Sequence, residues 1–169
     1  MSSNPKDILF NQEARDKLKK GIDKLADVVS VTLGPKGKNV AIGSSISYPK
    51  ITNDSNNIIS NIEFKDPYLD IGASLAKNVA KQMKENTGDG VTTSIVLLRS
   101  IINEAMKNIT SGASPILIKR GLEKALNATI KKLDQDVKKI ENDEEIINII
   151  KTSSSNLDEV STNILQAIK

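Results

Sequence analysis

Gly88-Asp89-Gly90-Val91-Thr92-Thr93-Ser94 lies between two amphipathic runs, and its reading decides what the remainder of the chain is for. A helix beginning at Val91 presents its first N–H groups unpaired, and their partial positive charge attracts oxyanions. Gly88 and Gly90 permit positive φ and bring the backbone close to an anion. Asp89, between them, offers the hard oxygen that a phosphate-bridging divalent cation takes. Thr92 and Thr93 add hydroxyl donors. The same residues also describe an ordinary loop ahead of a helix, so the motif alone leaves both readings open.

After the loop, Val91, Ile95, Leu98, Ile102, Ala105, Met106 and Ile109 recur at three- and four-residue steps, which predicts a core helix. Before it, Asp66-Pro67 opens a helix reaching about Asn86, with Leu69, Gly72, Leu75, Ala76, Val79 and Met83 inward. Its small residues Gly72, Ala73 and Ala76 allow a neighbour to pack closely. Asn11 to about Val31 is a further helix, with Ala14, Leu18, Leu25, Val28 and Val29 on one face and Gly21 as a small propensity cost. Thr32-Leu33-Gly34-Pro35-Lys36-Gly37 ends it, because Gly34 suits a left-handed C-terminal position and Pro35 blocks continuation. That segment is either a simple turn or a second set of exposed amides.

Asn39–Ile42 and Lys50–Thr52 read as a hairpin closed by Gly43–Pro49, and Lys6–Phe10 as a strand in need of a partner. Asp54, following Asn53, caps a short helix containing Ile58, Ile59 and Ile62. Its carboxylate serves as a cap, or orients water near a phosphate. Ser114-Pro115 starts a helix to about Lys139 with Leu117, Gly121, Leu122, Ala125, Ala128 and Leu133 on its face. Residues 138–145 form a charged surface turn or hinge. Asn142 with Glu145 and Asn156 with Glu159 are capping boxes, separated by a polar connector at 151–155. They head helices holding Ile146, Ile147 and Ile150, then Val160, Ile164, Leu165 and Ile168. The last apolar-periodic segment runs to Lys169 without a stop signal, as expected of a piece of a longer chain.

Composition removes several chemistries. The 169 residues contain no His and no Cys, so imidazole relays, thiolate nucleophiles and disulfides are excluded, and a zinc site is not expected. Acid–base work falls to Asp, Glu, Lys or Tyr. Two Phe, two Tyr and no Trp leave an aliphatic core and no stacking platform for bases. A net charge of +3, with acidic and basic residues interleaved, is no nucleic-acid footprint. No apolar run reaches the roughly 20 residues of a membrane span, and the N-terminus lacks the layout of a signal peptide. The expectation is therefore an intracellular protein with neither nucleic acid nor membrane as partner.

Together these motifs resemble the bacterial-type (group I) chaperonins, the GroEL family. Lys6-Asp7-Ile8 through Val40 is similar to that family's opening, including Thr32-Leu33-Gly34-Pro35-Lys36-Gly37 and Asn39-Val40. Ile51-Thr52-Asn53-Asp54 is similar to its Ile-Thr-Lys-Asp, and Gly88–Thr93 to its Gly-Asp-Gly-Thr-Thr-Thr at five of six positions. Pro115–Ala125 and Thr152–Glu159 add two further matches, all in co-linear order.

The resemblance implies a mainly α fold. It would be an incomplete half of the equatorial domain, a helical bundle with a short β-hairpin and an N-terminal strand. Residues 1–137 would form the N-terminal half of the ATP-binding equatorial domain, and 138–169 the start of the intermediate domain. It also implies ATP and Mg2+ as ligands, with K+ as a second cation. Thr32, Leu33, Gly34 and Pro35 would wrap the phosphates. Gly88, Gly90, Val91, Thr92 and Thr93 would line them, Asn53 would lie against the nucleotide, Asp89 would hold the metal, and Asp54 would be the catalytic carboxylate near the attacking water.

The implied partners are copies of itself or a homologous chaperonin in rings, with unfolded clients and a small cochaperonin for the full-length protein. The implied location is the cytoplasm or an organelle matrix. Val91, Asn53 and Ser55 depart from the family's Thr, Lys and Gly. Val91 and Asn53 favour an alternative, a non-hydrolysing copy that acts as an interaction partner of an intact chaperonin.

Overall fold

The structure is a computed structural model that describes residues 7–43, 48–153 and 158–168. It forms two compact units, Met1–Pro115 and Ile116–Lys169.

The first unit is built on helix α1 (Asn11–Ser30), the β1–β2 hairpin (Val40–Ile42 and Lys50–Thr52), and helices α2 (Ser55–Asn61), α3 (Pro67–Thr87) and α4 (Val91–Thr110). The strands are antiparallel, with Val40 opposite Thr52, Ala41 opposite Ile51 and Ile42 opposite Lys50. The expected hairpin turn includes residues 44–47, which lie outside the described residues.

Helices α1, α3 and α4 pack around one aliphatic cluster. Ile22, Leu25, Ala26 and Val29 come from α1, Ala73, Ala76 and Ala80 from α3, and Val91 and Ile95 from α4. Ile58 and Ile59 of α2 close it, with Val40, Ile42 and Met83 against its margin. The approach of α1 to α3 is set by two glycines. A Cβ on Gly21 would lie 2.0 Å from the Leu69 carbonyl oxygen, and one on Gly72 would lie 2.1 Å from that of Leu18. Gly21 is thus not merely a weak helix former; its missing side chain is what allows the crossing.

Two expectations are corrected. Residues 7–10 do not form the N-terminal strand: no ladder partner lies among the described residues, and Ile8 and Phe10 stay 63% and 69% exposed. A strand needs another edge to satisfy its N–H and C=O groups, and the only sheet described has two strands. Burial along α4 also fades. Val91 and Ile95 are buried, and the later positions are all half-buried; of these Leu98 and Ile102 pack against the main cluster, and Ala105, Met106 and Ile109 are not part of it. The periodicity is continuous, but the described neighbours cover its first turns most fully.

The second unit holds α5 (Pro115–Asp136), α6 (Asp143–Ser153) and α7 (Asp158–Ile168). Ile150 and Leu165 are buried, as is Ser161, while α5 buries none of its residues. The Asn142 cap forms as expected, its Oδ1 accepting the Glu145 amide at 3.0 Å. Glu145 does not close the reciprocal half of the box. Its Oε2 takes the Glu141 amide at 3.0 Å and its Oε1 the Lys138 ammonium at 2.7 Å, which anchors 138–141 to α6. The Asn156 box lies outside the described residues.

Candidate nucleotide site

The site residues belong to three segments whose apolar neighbours share one cluster. Val29 stands before the Thr32–Pro35 turn, Ile58 and Ile59 follow Asp54, and Val91 and Ile95 follow Gly90. Packing therefore fixes where each polar stretch begins.

Gly88 and Gly90 both take left-handed φ, at 77° and 78°, as the sequence requires. Gly90 is the N-cap of α4 and supplies no side-chain cap. The first intrahelical bond runs from the Ser94 amide to the Gly90 carbonyl at 2.9 Å. The amides of Val91, Thr92 and Thr93 precede it and have no helical acceptor. Asp89 Oδ1 accepts the Gly90 amide at 2.6 Å. Its other oxygen has no partner among the described residues, and the residue is exposed.

Val91 is 4% exposed, and its side chain belongs to the core cluster. It presents its amide at the loop, and its replacement of the family's Thr alters the core side of the helix. Thr92 is half-buried and Thr93 exposed.

The turn after α1 is tight. The Gly37 amide donates to Gly34 O at 2.9 Å and the Lys38 amide to Val31 O at 2.8 Å. The Thr32 and Leu33 amides are taken by Val29 O and Ser30 O, each at 3.1 Å, and those of Gly34 and Lys36 find no acceptor among the described residues. Pro35 has no amide to offer. The Thr32 hydroxyl donates to Val29 O at 2.8 Å and lies 3.4 Å from Thr92 Oγ1. That hydroxyl pair joins the first turn directly to the start of α4.

Asp54 stays within its own neighbourhood. Its Oδ1 accepts the Asn56 amide at 3.0 Å, its Oδ2 the Asn57 side-chain amide at 2.6 Å, and its own amide donates to Thr52 Oγ1 at 3.1 Å. It is the N-cap of α2 and opens on a groove of about 520 Å3 lined also by Lys77, Lys81 and Lys84. Asn53 beside it is exposed. Each carboxylate oxygen accepts more than one hydrogen bond, so the capping role leaves lone pairs for water.

One residue that the sequence reading passed over ties the loop to α3. Thr87 Oγ1 lies 2.7 Å from Met83 O and 2.8 Å from Asp89 O. A hydroxyl residue immediately before a Gly-Asp-Gly turn was the available signal.

Among the described residues no group of three or more Asp or Glu gathers to cage a metal. Magnesium coordinated mainly by phosphates and water needs only one or two protein carboxylates, so the lone free oxygen of Asp89 fits it. The uncapped amides of α4 fit the phosphates themselves.

Residues 25–169 match the TCP-1/cpn60 chaperonin family. Over 167 residues, 99% of its length, the chain is 44% identical to Chaperonin GroEL 3 of Protochlamydia amoebophila (strain UWE25), of which it covers 31%. The fold superposes on a crystal structure of a group III chaperonin in the open state with a TM-score of 0.79 and 23% identity, covering 92% of this chain and 31% of that one. The chain thus spans about a third of the length of the curated relative it matches. The mainly helical fold and the co-linear sequence match agree: the chain belongs to the TCP-1/cpn60 chaperonin family.

Proposed function

We propose that this chain is the N-terminal, nucleotide-gripping part of an ATP-dependent chaperonin that assists the folding of unfolded proteins in ring assemblies. The supporting observation is the start of α4, where three first-turn amides lack a side-chain cap beside a carboxylate with one free oxygen. An anion carrying a hard cation satisfies both. In this reading the Val91, Thr92 and Thr93 amides and the Gly34 turn hold phosphate oxygens, Thr32 and Thr92 supply hydroxyls, and Asp89 takes Mg2+. Bound magnesium would neutralise phosphate charge, and K+ would be a further cation of the same site. Asp54 would accept a hydrogen bond from the attacking water and hold it in line.

Residues 1–137 would then belong to the equatorial ATP-binding domain and 138–169 to the beginning of the intermediate domain. Rings of like subunits, unfolded clients and a small cochaperonin would be partners of the whole protein, in the cytoplasm. Among the described residues, no helix is long and apolar enough to cross a membrane.

Calorimetric titration with ADP in excess Mg2+ tests the reading. A saturable complex is expected, weakened about a hundredfold, or roughly 2.7 kcal/mol, by Asp89→Asn. No saturable complex in the wild type would sink it.

A further inference from the structure

Asp89 sits between two left-handed glycines on an exposed turn, a poor place to keep a carboxylate still. One carboxylate oxygen accepts the Gly90 amide at 2.6 Å, and the main chain that carries it is held from the last turn of α3. The Lys84 ammonium donates to the Gly88 carbonyl at 3.1 Å, and Thr87 Oγ1 approaches the next carbonyl, Asp89 O, at 2.8 Å. The Thr87 hydroxyl also lies 2.7 Å from Met83 O. Having one hydrogen, it shares that hydrogen between the two carbonyls and ties the turn to the helix. Lys84 is a long exposed side chain that is costly to immobilise; Thr87 is short and β-branched, with few rotamers.

We propose that Thr87 is a positioning residue: by holding the Asp89 main chain, its hydroxyl fixes where the Asp89 carboxylate meets a nucleotide-bound magnesium ion. The proposal rests on the nucleotide reading above and adds to it a residue that does not itself touch the ligand. Removing a group that orients a metal ligand commonly weakens metal affinity about 10- to 100-fold.

The test compares Thr87→Val, which keeps the shape, with Thr87→Ser, which keeps the hydroxyl, in the full chain. ADP affinity is measured in excess Mg2+ and again in chelator, and amide exchange at Gly90 is followed without ligand. Thr87→Val should bind ADP about tenfold more weakly with Mg2+ and unchanged in chelator, with faster Gly90 exchange. Thr87→Ser should restore both. Unchanged Mg2+ dependence, or equal weakening with and without Mg2+, would overturn the proposal. If Thr87→Val does not fold, Thr87→Ala is read in its place, and failure of both to fold would make Thr87 a folding residue and overturn it equally. Absence of any ADP complex in the wild type would strike the nucleotide reading instead, while unchanged Gly90 exchange in the variant would strike Thr87 alone.

Discussion

Helices α2 and α4 start above the same aliphatic cluster, yet they treat their first amides in opposite ways. Asp54 folds its carboxylate over the Asn56 amide, so α2 satisfies its own terminus. Asp66 does the same for α3 through the Tyr68 amide. At α4 the capping position is Gly90, and the adjacent Asp89 turns its bonded oxygen to the Gly90 amide rather than to the helix's first turn. A self-capped helix has little left for a ligand, whereas an uncapped one keeps its partial charge available for an anion. Neighbouring helix starts thus differ in the amides they leave uncapped because of one residue each.

The largest blow to that contrast is expected from removing its common floor. Ile95 is fully buried beneath the start of α4. Ile95→Ala should cost about 2–5 kcal/mol in chemical denaturation, because the side chain's contacts are lost and the cavity cannot fully close. A loss under 1 kcal/mol would mean that the cluster does not hold the loop.

A smaller effect is expected at the cap itself. Gly90 has φ 78°, and a Cβ there would also press on Met83 Cε. Gly90→Ala should destabilise by about 1–2 kcal/mol, the usual cost of a left-handed non-glycine residue. An unchanged Tm would show that the turn can relax.

The contrast is sharpened at Asp54, where two roles can be separated. Asn caps as well as Asp does, so Asp54→Asn should leave stability nearly unchanged, while Asp54→Ala should lose about 1 kcal/mol. In the proposed reading both should abolish ATP turnover. Equal stability of the two variants would argue against capping, and turnover by Asp54→Asn against the catalytic role.

The smallest effect concerns acid. The Lys17 ammonium, 2.6 Å from Asp66 Oδ2, is the main cause holding that carboxyl below its ordinary value of 3.8. A depressed folded pKa adds stability above the unfolded value and loses it as pH falls through the folded one. Asp66→Asn should therefore resemble the wild type in acid and be slightly less stable above pH 3.8. Both partners are about a third exposed, so the difference should shrink in salt. A gap that persists below that range would assign the effect to something other than this pair.

Much of the fold was legible because its elements are punctuated locally. Pro67 behind Asp66, Pro115 behind Ser114, and Gly88 at a left-handed C-terminus mark boundaries that the structure reproduces within a few residues. The loop glycines and Asp89 were legible for the same reason, since positive φ and an uncapped terminus are local properties. Gly21 was read only as a propensity cost because its packing role lies in an approach by Leu69, 48 positions away. The N-terminal strand was overcalled because a strand is completed by a partner, and residues 7–10 have none in the described chain.

By itself the sequence determined the helices, their termini, the glycine–aspartate turn and the chemistries that a chain without His or Cys cannot perform. These follow from short-range steric limits, side-chain periodicity and residue inventory, which need no distant contact. Only the tertiary structure decided that Thr32 meets Thr92 and that Gly21 and Gly72 let α1 and α3 touch. Each joins residues far apart in the chain. Such choices are settled only when apolar surfaces from several elements close over one another.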